Sequence, residues 1–543
     1  MPYLDAYTDT LTSGTAGHLL RRATFGPAKS EILELTGKTA AQAVRILIEN
    51  SSYSTSPPPP VDMRDNLPDS GKPIMSLPFN SANNYWYGQF IKYWWIGLMN
   101  QPVGRPSVVE KLSMFWQNHF VTRFTDVEDY RYTYRYLQLV RRNALGNFRT
   151  FVREITKDPA MLIFQNGNLN QVGKPNENYA REIQEIFVVG ARDFNGNANY
   201  TEDDVKAAAR VLTGWECRNH LSAASNVIDP VFTPARHDTS NKTFSSHYNS
   251  TVITGRSGSN AGEEELNDFI SMLLRHPNTA KYICRRLYRF YVNTEISSEI
   301  EQNVIVPLAS FFSSEGNNYA IEPVLEKLLT SQIFYDSANR GAIVKSPAEL
   351  VVGTLRYYNQ PVPNISEWQP FRKHTEFQCS CMIDMQMNLL DQPTVFGFTP
   401  YYQTGYSKNW INASTLAVRS YYANCLIYRW LLIKPNYLLG LDLLSLVTAM
   451  QPNFADVAGT PAISSHAVLE GFTSGLFAVE IPQQHKDFIV DHIMMTDQPR
   501  SDWTYVWNEY RKNTSNESIR NGVRWRCELL MRYVLRMAEY NVF

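Results

Sequence analysis

Apolar residues recur at helical spacing from Ala16 to Tyr540, and only three Ser-, Pro- and Asn-rich stretches interrupt them. That pattern constrains the chain to a mainly α fold, one large multi-helical domain with long irregular inserted loops and few or no strands. The periodicity predicts a helix at Ala16–Arg22, broken by Phe25-Gly26-Pro27, and a helix capped by Thr39 with Ala43, Ile46 and Leu47 on its apolar face. Further helices are expected from Tyr85 to Met99, from Pro106 to Phe120, at Tyr130–Asn143 and at Phe148–Thr156. Pro175 opens another that runs to Val189, with Gly190 placed to end it. Thr201 caps the next helix, and Glu202, Asp203 and Asp204 suit the positive end of its dipole. Helices follow at Glu263–Leu274, Thr279–Tyr291, Ile321–Leu329 and after Pro347, and the last stretch closes with Ser518–Tyr540.

The inserted loops are 51–80, with its run Pro57–Pro60, then 220–262, a loop or small hairpin, then 359–412. The expected division is a helical core over 1–419 and a C-terminal helical subdomain over 420–543, continuous with the core or separable from it. No repeat of fixed spacing appears.

Composition excludes several classes. Lys plus Arg number 51 against 52 Asp plus Glu, a formal net of -1, so no global field draws in nucleic acid. The longest apolar runs, Tyr93–Met99 and Leu443–Met450, fall far short of the ~20 residues of a membrane span. The N-terminus shows no signal peptide, so the expectation is a soluble cytoplasmic protein, with signal-less export left open. Six cysteines without a CxxC suit reduced thiols. No nucleotide, serine-hydrolase, zincin or calcium-loop motif is present.

Polar chemistry concentrates in three segments. On the helix after Pro175, Glu177, Asn178, Arg181, Glu182 and Glu185 fall within an arc of about 140°. Tyr179, Ile183, Ile186 and Phe187 fill the opposite, core-facing side. Arg181 is expected to pair with Glu177 or Glu185 at a spacing of four. Glu182 and Glu185, one turn apart, are candidates to hold a proton or a metal. The second segment is EKLSMFWQNHF, Glu110–Phe120, where Leu112, Phe115 and His119 share a face and His119 points inward among aromatics. The third is Arg236-His237-Asp238 with Lys242, a dense cluster in a long loop. Trp410 and Arg419 are further candidates to line a cleft.

Two functional classes stay open. One is an enzyme with a His/carboxylate cleft of His119, Glu182, Glu185, His237 and Asp238, aided by Arg181 and Lys242. The other is a structural or assembly protein that binds a partner through Tyr- and Pro-rich surface loops. If the cleft holds a divalent metal, His119, Glu182 and His237 are its candidate ligands, with a nitrogen and oxygen donor set suited to zinc, iron or manganese. Those three side chains would then have to converge on one pocket.

Taken in order, several segments resemble the bacterial family known as domain of unknown function 1800. They include HLLRRATFGP (His18–Pro27), EKLSMFWQNHFVT (Glu110–Thr122) and PNENYAREIQEIF (Pro175–Phe187). YTEDDVKAAARVLTGW (Tyr200–Trp215), RHD with Lys242, and HPNTAKYICRRL (His276–Leu287) follow. KSPAEL (Lys345–Leu350), WINASTLAVR (Trp410–Arg419) and MAEYNVF (Met537–Phe543) complete the series. The resemblance implies no reaction. It does imply a partner similar to sulfatases or alkaline phosphatases, whose genes often lie beside those of the family. The family's aromatic helix usually reads FWHNHF, and Gln117 replaces its first His in this chain. A site needing both imidazoles is incomplete here.

Overall fold

A computed structural model describes residues 3–51, 57–100, 102–401, 406–450 and 464–543. Helices dominate it, and the strands among the described residues form three two-stranded antiparallel sheets. Ten helices position the features discussed below: α1 (Ser13–Ala23), α2 (Ser81–Asn100), α3 (Val109–His119), α4 (Tyr130–Asn143), α5 (Glu177–Glu182), α6 (Glu202–Val211), α7 (Ala261–Arg275), α8 (Thr279–Tyr291), α9 (Pro347–Tyr357) and α10 (Trp368–Asp384). The sheets are β1 (Trp215–Cys217) with β2 (Pro230–Phe232), β3 (Lys242–Thr243) with β4 (Val252–Ile253), and β5 (Leu431–Lys434) with β6 (Tyr437–Leu439).

Local signals set most helix starts. Thr12, Thr39, Thr201 and Ser346 each accept from the backbone N–H three residues on, and the side chain at that position returns the bond. Asp129 and Asn147 cap α4 and the Phe148–Thr156 helix. Pro106 is a correction. It lies before α3, which begins at Val109, and its carbonyl accepts from the Asn50 side chain.

A larger correction concerns 359–412, which contains the 17-residue helix α10. Its Pro370 sits in the first turn, where a missing N–H costs nothing, and its Cys, Gln and Thr residues blur the apolar stripe. Tertiary packing supplies the stripe instead: α10 lies across α2, and Phe371 fills the space over Gly97, where a Cβ would stand 2.5 Å from the ring. The 220–262 region holds β2, the β3–β4 hairpin and short turns, in line with the hairpin expectation.

One hydrophobic core runs through the described residues, from Leu11 to Tyr540. Trp94, Trp95 and Trp116 are fully buried in it, and the Trp95 indole donates to Glu110, which also takes the Arg141 guanidinium. The helix Ala413–Tyr428 spans residue 420. The last residues return to the front of α9: Lys345 N–H donates to the Asn541 carbonyl, and Phe543 N–H to that of Ile343.

Candidate functional site

The helix expected from Pro175 to Val189 is α5 followed by a π-helical turn, Ile183–Val188, in which Val189 N–H reaches the Gln184 carbonyl. The wider turn rotates everything after Glu182 relative to a 100° step. The apolar side holds as expected, with Tyr179, Ile183, Ile186 and Phe187 all buried.

The expected Arg181 pairing does not form. Arg181 makes two 2.7 Å bonds to Glu202 at the start of α6, because a guanidinium fork matches a carboxylate edge presented by a neighbouring helix better than one on its own. Glu185 instead accepts from the Tyr200 hydroxyl at 2.6 Å. Glu182 is half-buried, and its carboxylate makes no hydrogen bond or ion pair among the described residues. Burial, and then the charge of Glu185, push its carboxyl up to about 7 against the opposing pull of Arg181.

His119 is fully buried among Phe115, Trp116, Phe120, Phe187 and Tyr282. Its Nε2 lies 2.8 Å from the Phe187 carbonyl, which fixes that nitrogen as the donor. Burial and the charge of Arg286 hold the ring well below its ordinary pKa, so it is neutral. Gln117, where the resemblance led to the expectation of a second imidazole, is buried and its side-chain oxygen accepts from Gln392.

His237 belongs to a separate buried cluster. Its Nδ1 lies 2.9 Å from the Thr213 carbonyl, and its Nε2 lies 3.1 Å from Glu265 Oε1. Lys242 stands 2.5 Å from Glu265 Oε2 and also donates to the Asp238 carbonyl. Burial works to raise the Glu265 pKa, but bonds from His237, Lys242 and the Arg256 N–H outweigh it and lower the pKa. Asp238 is bound by Arg210 at 2.8 Å. Against burial, Arg210 and Ser240 hold its carboxyl well below the usual range. Sequence reasoning missed Glu265. The signal was a carboxylate sharing the apolar face of α7 with Leu266, Phe269 and Leu273, all of them buried.

These placements correct the metal expectation. Among the described residues no group of three or more His, Cys, Asp and Glu side chains is arranged to hold a metal ion. His119, Glu182 and His237 form no such group: the two imidazoles bond different backbone carbonyls, those of Phe187 and Thr213, and Glu182 takes part in neither set of bonds. Trp410 is buried against Phe398 and Tyr401. Arg419 is buried too, donating to Asn541 and to the Lys345 carbonyl.

A cavity lies elsewhere, where the first and third inserted loops meet over α2. It is a groove of about 580 Å³. Pro57 and Pro58 form one wall, Pro361, Val362 and Pro363 another, and Trp94, Leu98 and Phe371 the floor. Asn100, Glu110 and Arg356 are its buried polar residues; Asn100 is the one with an unpartnered side-chain atom. The side-chain amide donates to the Ile96 carbonyl and to Gln378, while its Oδ1 has no partner among the described residues. Behind it Arg356 is saturated by Glu31, the Gly26 carbonyl and the Asn100 carbonyl.

A family model described as "Protein of unknown function (DUF1800)" matches residues 18–542. No curated protein matches, and no solved structure matches.

Proposed function

Since the chain belongs to that family of unknown function, we propose that it is a ligand-binding protein whose site is the groove over α2. The observation that carries this reading is the buried, unpartnered Asn100 Oδ1 in an apolar recess of about 580 Å³. The size lies in the range of small-molecule pockets, and a mainly apolar wall with a few orienting polar groups is their usual chemistry. The ligand class is a mainly apolar small molecule with one hydrogen-bond donor for Asn100. Pro57, Pro58, Pro361 and Pro363 hold the rim at low conformational cost.

The test is titration with the apolar fluorophore N-phenyl-1-naphthylamine. Saturable emission is expected, with loss of binding in Leu98→Trp, which fills the recess. Absence of saturation, or equal uptake by the variant, removes the reading.

A second reading, an enzyme, is favoured by one observation: the Glu182 carboxyl is raised to about 7 and has no partner, as a general acid requires. Glu185, aligned by Tyr200, would be its neighbour base. His119, His237 and Asp238 have no part in that reading: His119 is fully buried among aromatic rings with Nε2 on the Phe187 carbonyl, His237 is held by the Thr213 carbonyl and Asp238 by Arg210. Its test is the titration of Glu182 by carboxyl-labelled NMR; a midpoint below 5 rejects it. The partner expected from the resemblance, a protein similar to sulfatases or alkaline phosphatases, is tested by gel filtration of the two together, where separate elution counts against it.

A further inference from the structure

Four segments carrying the family resemblance meet at one place that neither reading above uses. Arg21 and Arg22 come from α1, Lys111 from α3, Lys345 from the residue before the cap of α9, and Tyr540 with Phe543 from the closing segment. All four cations are buried, at 5%, 0%, 0% and 8% exposure in that order. Two of them, Arg21 and Lys345, line a cavity of about 30 Å³ together with Glu349, Tyr540 and Phe543. That volume holds one or two waters or a compact ion.

The charges do not balance. Among the side chains lining the cavity the one carboxylate, Glu349, is taken by Lys111 through Oε1 and by the Ser346 N–H through Oε2. Arg21, Arg22 and Lys345 form no ion pair among the described residues. Arg21 donates to the Gly475 carbonyl at 2.7 Å, and its Nε is buried without a partner. Arg22 donates to the Asn339 carbonyl at 2.5 Å, and its Nε and Nη1 are buried without partners. Lys345 has one acceptor, the Tyr540 carbonyl at 2.6 Å. The rest of the cationic environment is ring faces: Arg22 and Lys111 lie 4.8 and 5.0 Å from the Phe543 centroid, and Lys345 lies 4.7 Å from that of Tyr540.

Buried charge without a counter-charge is strongly unfavourable, and these cations repel one another. Lys345 is pushed well below its ordinary pKa by burial and then by Arg21 and Arg419, and Arg22 is lowered to about 9 by burial and then by Arg21. An anion in the cavity would supply the missing charge, and guanidinium N–H groups match oxyanion geometry.

We propose that the cavity between Arg21 and Lys345 binds one small oxyanion of the phosphate or sulfate class, as a free ion or as the terminal group of a larger ligand entering past those two residues.

The full chain, dialysed into chloride buffer, is titrated at constant ionic strength with sodium phosphate, sodium sulfate or phenyl phosphate. Heat of binding and melting temperature are both read. A saturable response with one ion per chain is expected for at least one of the three, and chloride alone gives none. Response to the inorganic ions identifies a free ion, and response only to phenyl phosphate identifies a ligand's terminal group. Lys345→Met should weaken binding at least tenfold. In chloride it should melt no lower than the parent, since it removes one of the repelling charges. Arg21→Met repeats the test should Lys345→Met not fold. ³¹P line broadening of phosphate by the parent protein gives a readout that needs no variant. If none of the three ligands exceeds chloride, or if the folded variant responds as the parent does, the proposal is wrong.

Discussion

Glu265→Gln isolates the electrostatics of the His237 cluster, because it removes a charge with almost no change in volume. In the parent, Glu265 and Lys242 are both fully buried 2.5 Å apart, and His237 Nε2 stands 3.1 Å from the other carboxylate oxygen. The variant leaves the Lys242 ammonium with only the Asp238 carbonyl and a neutral amide. Breaking a buried pair by removing one partner costs about 3–5 kcal/mol, mostly as the penalty of the stranded charge. Urea unfolding at pH 7, followed by tryptophan fluorescence, should show a loss of that size. The double variant Glu265→Leu with Lys242→Met strands no charge and should recover most of it. The pH dependence has a definite sign. Glu265 has a lowered folded pKa, so its contribution is present above the unfolded value near 4.3 and is lost as pH falls through the lower folded value. The parent should therefore lose more stability than Glu265→Gln on acidification below about pH 4.3. A loss under about 1 kcal/mol at pH 7, below the 3–5 expected of a broken buried pair, would refute the reasoning, as would a double variant no better than the single one.

Three further outcomes follow from the same geometry. Glu182 titrates with a raised pKa, so its burial costs stability as pH rises from about 4.5 to about 7; Glu182→Gln should be more stable than the parent at pH 8 by about 1–2 kcal/mol after allowing for solvent screening, read by urea unfolding. Ile183→Ala, at a position 1% exposed, should cost about 2–5 kcal/mol in the same assay, and a loss below about 0.5 kcal/mol would mean that the π turn carries little packing. Gly26 adopts φ +115 with Gly353 Cα 2.8 Å from where its Cβ would stand, so Gly26→Ala should lower the melting temperature sharply while the control Gly37→Ala, with open space around it, should do so less.

The helices and their beginnings were legible in the chain because they depend on neighbours within four residues. Thr39 and Thr201 cap where the sequence places them, and the apolar side of the helix after Pro175 is buried as its periodicity requires. The family likeness was legible too, since the order of its segments is itself sequence. Partners were not. Arg181 has carboxylates four residues away on either side and chooses Glu202, and α10 is a helix because α2 offers Gly97 to Phe371 rather than because its own stripe is strong. Both the groove over α2 and the basic cavity are built from segments hundreds of residues apart. Local spacing determines which way a side chain faces along its helix; which charge or ring it meets is decided by how helices dock, and docking minimises buried unpaired charge and empty volume over the whole chain at once.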